Sequence, residues 1–164
     1  MQSLIWVPEE EFIDQKKWIE KEVGDVGMKS IEDLCKQASK VRENSYSPYS
    51  KYKVGVTVLC ESGKKYSGCN AEVASYSESD HAEEATITKA VTEGETIKSR
   101  KFLKAVAVSH TSDSAPCGRC RQIILEHCDN CLVITADENG KIRRITSVKA
   151  LLPYSFGPGD LGID

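Results

Sequence analysis

Residues 105–136 read AVAVSHTSDSAPCGRCRQIILEHCDNCLVITA, and this stretch decides the fold. Ala105–Ser109 and Leu132–Ala136 are short apolar runs without polar alternation, which marks strands buried on both faces. Between them lie a polar loop and a helical stretch, Gly118–His127. The same grammar extends in both directions. Lys53–Cys60 and Lys65–Ala71 read as strands joined by Glu61-Ser62-Gly63, a short hairpin loop. A helix is expected from His81 to Glu93, stopping near Gly94. Asn139-Gly140 turns the chain into a last strand, Lys141–Ile145. Strands interleaved with helices of about ten residues predict an α/β fold, a three-layer α/β/α sandwich around a largely buried sheet.

Upstream, Ile31, Leu34, Cys35, Ala38 and Val41 follow helical spacing after Ser30-Ile31-Glu32-Asp33, which resembles a capping box. Ser47-Pro48 ends that helix or the turn after it. Glu9 to Val23 can form an earlier helix with Phe12, Ile19 and Val23 near one face, broken by Gly24 and Gly27. The expected organisation is an N-terminal extension, residues 1–29, partly helical, and one catalytic domain, residues 30–164.

Composition sets the boundaries of function. The chain has 164 residues, 22 basic and 25 acidic, for a net charge of −3. That balance lacks the positive field of a dedicated nucleic-acid or anionic-membrane binder. The only apolar run near the start, Leu4-Ile5-Trp6-Val7, is too short for a signal peptide or a membrane span. Seven cysteines is an odd count, contrary to a fully paired disulfide framework. The expected location is cytoplasmic, where thiols stay reduced. Seven reduced thiols raise the question of a metal.

Two motifs answer it. His81-Ala82-Glu83 opens one expected helix, and Pro116-Cys117-Gly118-Arg119-Cys120 opens another. Two thiolates at i and i+3 in a first helical turn can face one ion, and a helix N-terminus favours the ionised sulfur. Pro116 suits the position, because proline is tolerated at a helix start. With His81 as third ligand, one coordination position stays open to water, the arrangement of catalytic zinc. Zinc lowers the pKa of bound water toward about 7, and Glu83, not itself a ligand, is placed to take the proton. H-x-E combined with P-C-x-x-C is the signature of zinc-dependent nucleobase deaminases.

These residues admit other chemistries. A redox C-x-x-C would not call for the upstream H-x-E. Cys128-Asp129-Asn130-Cys131 offers a second C-x-x-C and hence a four-cysteine zinc site. If residues 120–128 are helical, however, those α-carbons stand about 12 Å apart, too far to share one ion. Buried thiols are the default for Cys35, Cys60, Cys69, Cys128 and Cys131. His110 rivals His81 as a ligand but lacks a partnered glutamate. His127, at a helix C-terminus, reads as dipole compensation.

From about Ile31 to Leu161 the chain resembles the cytidine deaminases, small zinc enzymes of pyrimidine salvage. The matching residues run in order: Ser47-Pro48-Tyr49-Ser50, Val54-Gly55, Gly68-Cys69-Asn70-Ala71-Glu72, His81-Ala82-Glu83, Pro116-Cys117-Gly118-Arg119-Cys120-Arg121-Gln122, Leu151-Leu152-Pro153 and Phe156-Gly157-Pro158. The resemblance implies a central mixed five-stranded sheet and one zinc per subunit on His81, Cys117 and Cys120. It implies Glu83 as the proton shuttle in hydrolysis of cytidine or deoxycytidine to uridine or deoxyuridine and ammonia. Asn70 and Glu72 would hold the ribose 3′-hydroxyl, the Ala82 N–H would meet the base O2, and Tyr52 stands where the family places a phenylalanine against the base. The small members are tetramers with shared sites. Phe156 of a neighbour would therefore touch the base, with Ala74 and Tyr76 near the ribose 5′-end.

The sequence departs from the small tetrameric members at His81 and Glu84, where cysteine and arginine are usual. Larger dimeric members also carry the histidine. With a neutral imidazole and two thiolates the zinc site sums to zero, so an arginine that offsets a third thiolate loses its purpose. Val73 stands where asparagine is frequent and bears on substrate preference. The alternatives are a deaminase of a modified or antibiotic aminonucleoside, a deaminase of cytosine in single-stranded nucleic acid, and a non-catalytic zinc module. The basic run Lys98-Ser99-Arg100-Lys101-Phe102-Leu103-Lys104 is the one hint of nucleic acid. Intact Glu83 opposes the zinc module.

Overall fold

The computed structural model describes residues 12–163, with side chains from Gln15 onward. The Leu4–Val7 run, the Glu9 start of the first helix and the side chain of Phe12 lie outside the described residues. A five-stranded sheet forms the middle layer, in the order β2 (Lys65–Cys69), β1 (Gly55–Cys60), β3 (Leu103–Ser109), β4 (Leu132–Ala136), β5 (Ile142–Ser147). The β3–β4 pair is parallel and every other neighbour antiparallel, so the sheet is mixed. A parallel pair requires a crossover, and α4 (Gly118–Glu126) is the helix that supplies it.

Period-two alternation sorts each strand between two apolar layers. Val56, Val58, Val106, Val108 and Val133 pack with Ile87 and Ala90 of α3 (Ala82–Thr92) and Ile124 of α4. Leu59, Ala105, Ala107, Leu132, Ile134 and Ala136 face the other way. They meet Ile31, Leu34, Cys35 and Ala38 of α2 (Met28–Arg42) and Ile19 and Val23 of α1 (Phe12–Val26). The small residues on β3 allow α2 to lie close. At Gly55 the approach is closest: a Cβ there would stand 2.1 Å from the Ala38 carbonyl oxygen and 2.6 Å from the Arg42 nitrogen. Only glycine fits at the start of β1. The three-layer sandwich expected from the sequence is the observed architecture. Among the described residues, no helix is long and apolar enough to cross a membrane.

Three local expectations need correction. The capping box at Ser30 does not form, because α2 already begins at Met28 after Gly27, whose φ of 83° is left-handed. Gly24 does not break α1: the helix runs through it to Val26, and burial of the adjacent Val23 offsets the roughly 1 kcal/mol helix cost of glycine. Cys69 is only half-buried, whereas Cys35, Cys60, Cys128 and Cys131 are buried thiols. His127 is the C-cap of α4, with Nδ1 3.2 Å from the Arg100 carbonyl oxygen and its ring against Phe102. A tie to the loop before β3 therefore accompanies any interaction with the helix dipole.

The first helix is joined to the core. Ile19 and Val23 are as buried as the strand residues they touch, and Ser147 Oγ donates to Gln15 Oε1 at 3.0 Å. Ile19→Ala should lower unfolding free energy by about 2–5 kcal/mol in a denaturant titration. A loss below about 1 kcal/mol would show that α1 is not part of the cooperative core.

Candidate active site

Two helix N-termini meet at the end of the sheet. His81 is the N-cap residue of α3, in extended backbone, so its ring projects from the helix start. Cys117 is the N-cap of α4, and Cys120 lies in that helix's first turn. The start of α4 is held by Arg121, whose guanidinium donates to the Pro116 carbonyl at 2.6 Å and the Leu151 carbonyl at 2.9 Å. A short ladder tethers the start of α3: the Ala71 N–H donates to Asp80 O at 3.1 Å, and the Asp80 N–H to Ala71 O at 3.0 Å. That ladder places Asn70 and Glu72 beside the turn that carries His81.

The three donors converge. His81 Nδ1 stands 3.2 Å from Cys120 Sγ and 3.4 Å from Cys117 Sγ, and the two sulfurs are 3.5 Å apart. Tetrahedral zinc bonds of about 2.0 and 2.3 Å would set these separations near 3.6 Å for nitrogen to sulfur and 3.8 Å for sulfur to sulfur. The cluster fits zinc after a few tenths of an ångström of expansion. The donor chemistry agrees. Burial, then the neighbouring Glu83 and Cys117, push the Cys120 thiol well above its ordinary value, so that sulfur ionises only beside a compensating cation. His110 is outside the cluster, and His81 is the histidine that joins the two cysteines.

Glu83 is 5% exposed. Burial raises its carboxyl above the usual range, against opposing contributions from its own backbone N–H, Cys120 and His81. A carboxyl so placed can hold a proton and release it. A cavity of about 400 Å³ opens over the donors, lined also by Tyr52, Asn70, Glu72, Tyr76, Ala82, Glu83 and His110. Ala82 belongs to the first turn of α3, where a helix leaves N–H donors without helical partners. Ala74 is exposed and outside the cavity lining, and so is Phe156, which is 61% exposed and whose carbonyl accepts from Gln122 Nε2 at 2.9 Å. Tyr76 lines the cavity of its own chain and packs edge-on against Tyr49, with ring centroids 5.8 Å apart.

The polar end of the cavity is built around two fixed side chains. Asn70 Oδ1 accepts from the Val54 N–H at 2.8 Å and Ser45 Oγ at 2.6 Å, while Nδ2 donates to Tyr52 O at 2.9 Å. Glu72 accepts from the N–H groups of Tyr49 and Ser50 at 3.0 and 3.1 Å, and from the Ser50 hydroxyl. The Ser50 hydroxyl is the largest influence holding the Glu72 carboxyl below its ordinary 4.5. The Ser47-Pro48-Tyr49-Ser50 motif is therefore the socket of Glu72, a role that its sequence alone does not disclose.

A second wall of the cavity joins Tyr52 and His110 through a network that residue spacing does not disclose. Tyr52 stacks on buried His110 with centroids 6.0 Å apart, and its hydroxyl lies 2.6 Å from Ser112 Oγ. Ser112 Oγ also lies 2.7 Å from Ser114 Oγ and 3.3 Å from His110 Nδ1. Arg143 of β5 secures this loop by donating to the carbonyls of His110, Thr111 and Ser112. Burial, then Arg143, lower the His110 pKa, so the imidazole stays neutral near pH 7. Serines in a polar loop give no sequence signal of such a network.

Two helix starts presenting imidazole, two thiols and a buried carboxyl to one cavity define a zinc-dependent deaminase. Comparison with known proteins makes this specific. The family described as the cytidine and deoxycytidylate deaminase zinc-binding region matches residues 28–136, and the chain belongs to that family. The cytidine deaminase of Sporosarcina psychrophila is 41% identical over 132 residues, covering 80% of this chain and 94% of the relative. That of Halalkalibacterium halodurans is 37% identical over 131 residues, with coverages of 78% and 95%. Among solved structures, the Burkholderia pseudomallei cytidine deaminase superposes with a TM-score of 0.69 at 34% identity, covering 76% of this chain and 97% of that one.

The Glu72 socket has a definite pH signature. A carboxyl with a depressed folded-state pKa contributes stability that is full above the unfolded value of 4.5 and lost as pH falls through the folded one. The difference in melting temperature between the native chain and Glu72→Gln should therefore be largest near pH 6–7 and shrink steadily below about pH 4.5. A difference that is flat down to pH 3 would contradict the socket.

Proposed function

We propose that the protein removes the C4 amino group of free cytidine and deoxycytidine by hydrolysis, giving uridine or deoxyuridine and ammonia. The observation that carries this reading is the buried Glu83 carboxyl beside the His81/Cys117/Cys120 donor set, in one cavity with Asn70 and Glu72. His81, Cys117 and Cys120 would hold a zinc ion, which would supply an activated water nucleophile at neutral pH. Glu83 takes one proton from the attacking water and delivers it to N3 of the pyrimidine as the new C4–O bond forms. It then carries the second proton to the amino group as the C4–N bond breaks. One proton stays on N3, the other leaves with ammonia, and Glu83 returns to its carboxylate form.

The remaining residues orient the substrate. The Ala82 N–H meets the base O2, and the Tyr52 ring packs against the base. A carboxylate offers about four lone-pair sites. Glu72 uses three of them on Tyr49 and Ser50, which leaves one acceptor for a ribose 3′-hydroxyl. The second Nδ2 hydrogen of Asn70 is the matching donor.

Phe156 and Ala74 stand outside the cavity of their own chain, which supports a homotetramer in which each supplies a neighbour's site, with Tyr76 at the shared rim. Catalysis is assigned to residues 30–164, with α1 as a supporting helix. Seven free cysteines among the described residues suit a reducing cytoplasm. Cytosine in single-stranded nucleic acid is disfavoured as substrate. Phe102 is 3% exposed, Arg100 donates to Ile163 O, and Lys101 Nζ donates to the carbonyls of Leu125 and Cys128, so the basic run offers no stacking platform.

The test is a substrate panel of cytidine, deoxycytidine, deoxycytidine monophosphate, cytosine, 5-substituted cytidines and single-stranded DNA, followed by ultraviolet loss of the cytosine chromophore. Free nucleosides should turn over, and Glu83→Gln should keep its zinc while kcat falls about 10²–10⁴-fold. A mixture of Glu83→Gln and Phe156→Ala chains should regain activity that neither variant has alone. No turnover of any free nucleoside would overturn the substrate assignment, and no regain in the mixture would overturn the shared site.

A further inference from the structure

The first turns of α3 and α4 are linked by one ion pair outside the cavity lining. Glu84 follows Glu83 on α3, and Arg119 lies between Cys117 and Cys120 on α4. Arg119 Nη2 donates to both carboxylate oxygens of Glu84, at 2.8 and 2.7 Å. Glu84 suits the positive end of its helix, but a cation in the first turn of α4 opposes that helix's dipole. The pair is also half-exposed, with side-chain exposures of 49% and 28%, so it adds little to global stability. Neither helix preference nor fold stability accounts for an arginine here.

Its neighbours do. The histidine donor and the two cysteine donors come from segments 36 residues apart, and their separations decide whether one ion can be held. The strand ladder beside Asp80 anchors the start of α3, and Arg121 anchors the start of α4. Neither of these ties joins one helix start to the other. We propose that the Glu84–Arg119 pair is a positioning clamp that sets the spacing of His81 against Cys117 and Cys120. Glu84 and Arg119 are thus positioning residues of the metal site rather than groups that touch the substrate. The inference rests on the reading that His81, Cys117 and Cys120 hold zinc.

The test is zinc release from the loaded protein into excess chromophoric chelator, followed by absorbance. Glu84→Gln and Arg119→Gln should each release zinc about 10–100-fold faster than the native chain, the range found when groups supporting metal ligands are lost. The charge-reversed double variant, Glu84→Arg with Arg119→Glu, should recover to within about threefold of the native rate, because it rebuilds the pair with the opposite polarity. Native release rates in both single variants, or a double variant no slower than the faster single one, would overturn the clamp. A native chain that carries no zinc at the outset would instead overturn the metal assignment beneath it.

Discussion

Two helices must begin within a few ångströms of each other, and this constraint organises the rest of the molecule. His81 and Cys117 are both N-cap residues, and Cys120 is one turn inside its helix. Each donor therefore sits where exposed N–H groups and the helix dipole favour negative charge. The sheet makes the meeting possible. α3 follows β2 and α4 follows β3. The last residues of those strands, Cys69 and Ser109, both pair with Gly55 of β1, so the two helices start from the same end of the sheet. Burial pushes both the Cys120 thiol and the Glu83 carboxyl toward their protonated forms, and at Cys120 the neighbouring Glu83 and Cys117 add to the shift. A zinc ion held by His81, Cys117 and Cys120 would favour the ionised sulfurs, and so would belong to the stability of the site as well as to its chemistry.

The opposite end of the cavity follows a different logic. Asn70 and Glu72 make most of their hydrogen bonds within the protein, to Ser45, Val54, Tyr49, Ser50 and Tyr52. Such bonds fix the two side chains before any ligand arrives, so little ordering remains to be done on binding. The wall formed by Tyr52, His110 and Ser112 is similarly fixed, through Arg143. Precise placement at both ends suits the proposed reaction, in which one water and one carboxyl must meet a single carbon atom.

Much of this was legible in the sequence, for identifiable reasons. The buried strands and the hairpin declare themselves through apolar runs and Gly63, and the metal donors through the two spacings at helix starts. Local signals failed where tertiary packing decides the outcome. Ser30 looked like a cap, yet burial of Ile19 and Val23 extends helical structure almost continuously from α1 into α2. The roles of Ser50 and Ser112 depend on partners 22 and 60 residues away, at separations that carry no periodicity. Glu84 looked like the loss of a usual arginine. In the structure a guanidinium is present after all, supplied by Arg119 and held by Glu84.

His81, Cys117 and Cys120, all at helix starts, are placed to hold a single zinc ion with one position open. X-ray absorption at the zinc edge of the purified protein tests it directly. The expected first shell has two sulfur neighbours at about 2.3 Å and two nitrogen or oxygen neighbours at about 2.0–2.1 Å. A shell of three or four sulfurs would contradict the account, because it would bring a further cysteine to the metal in place of His81 or water.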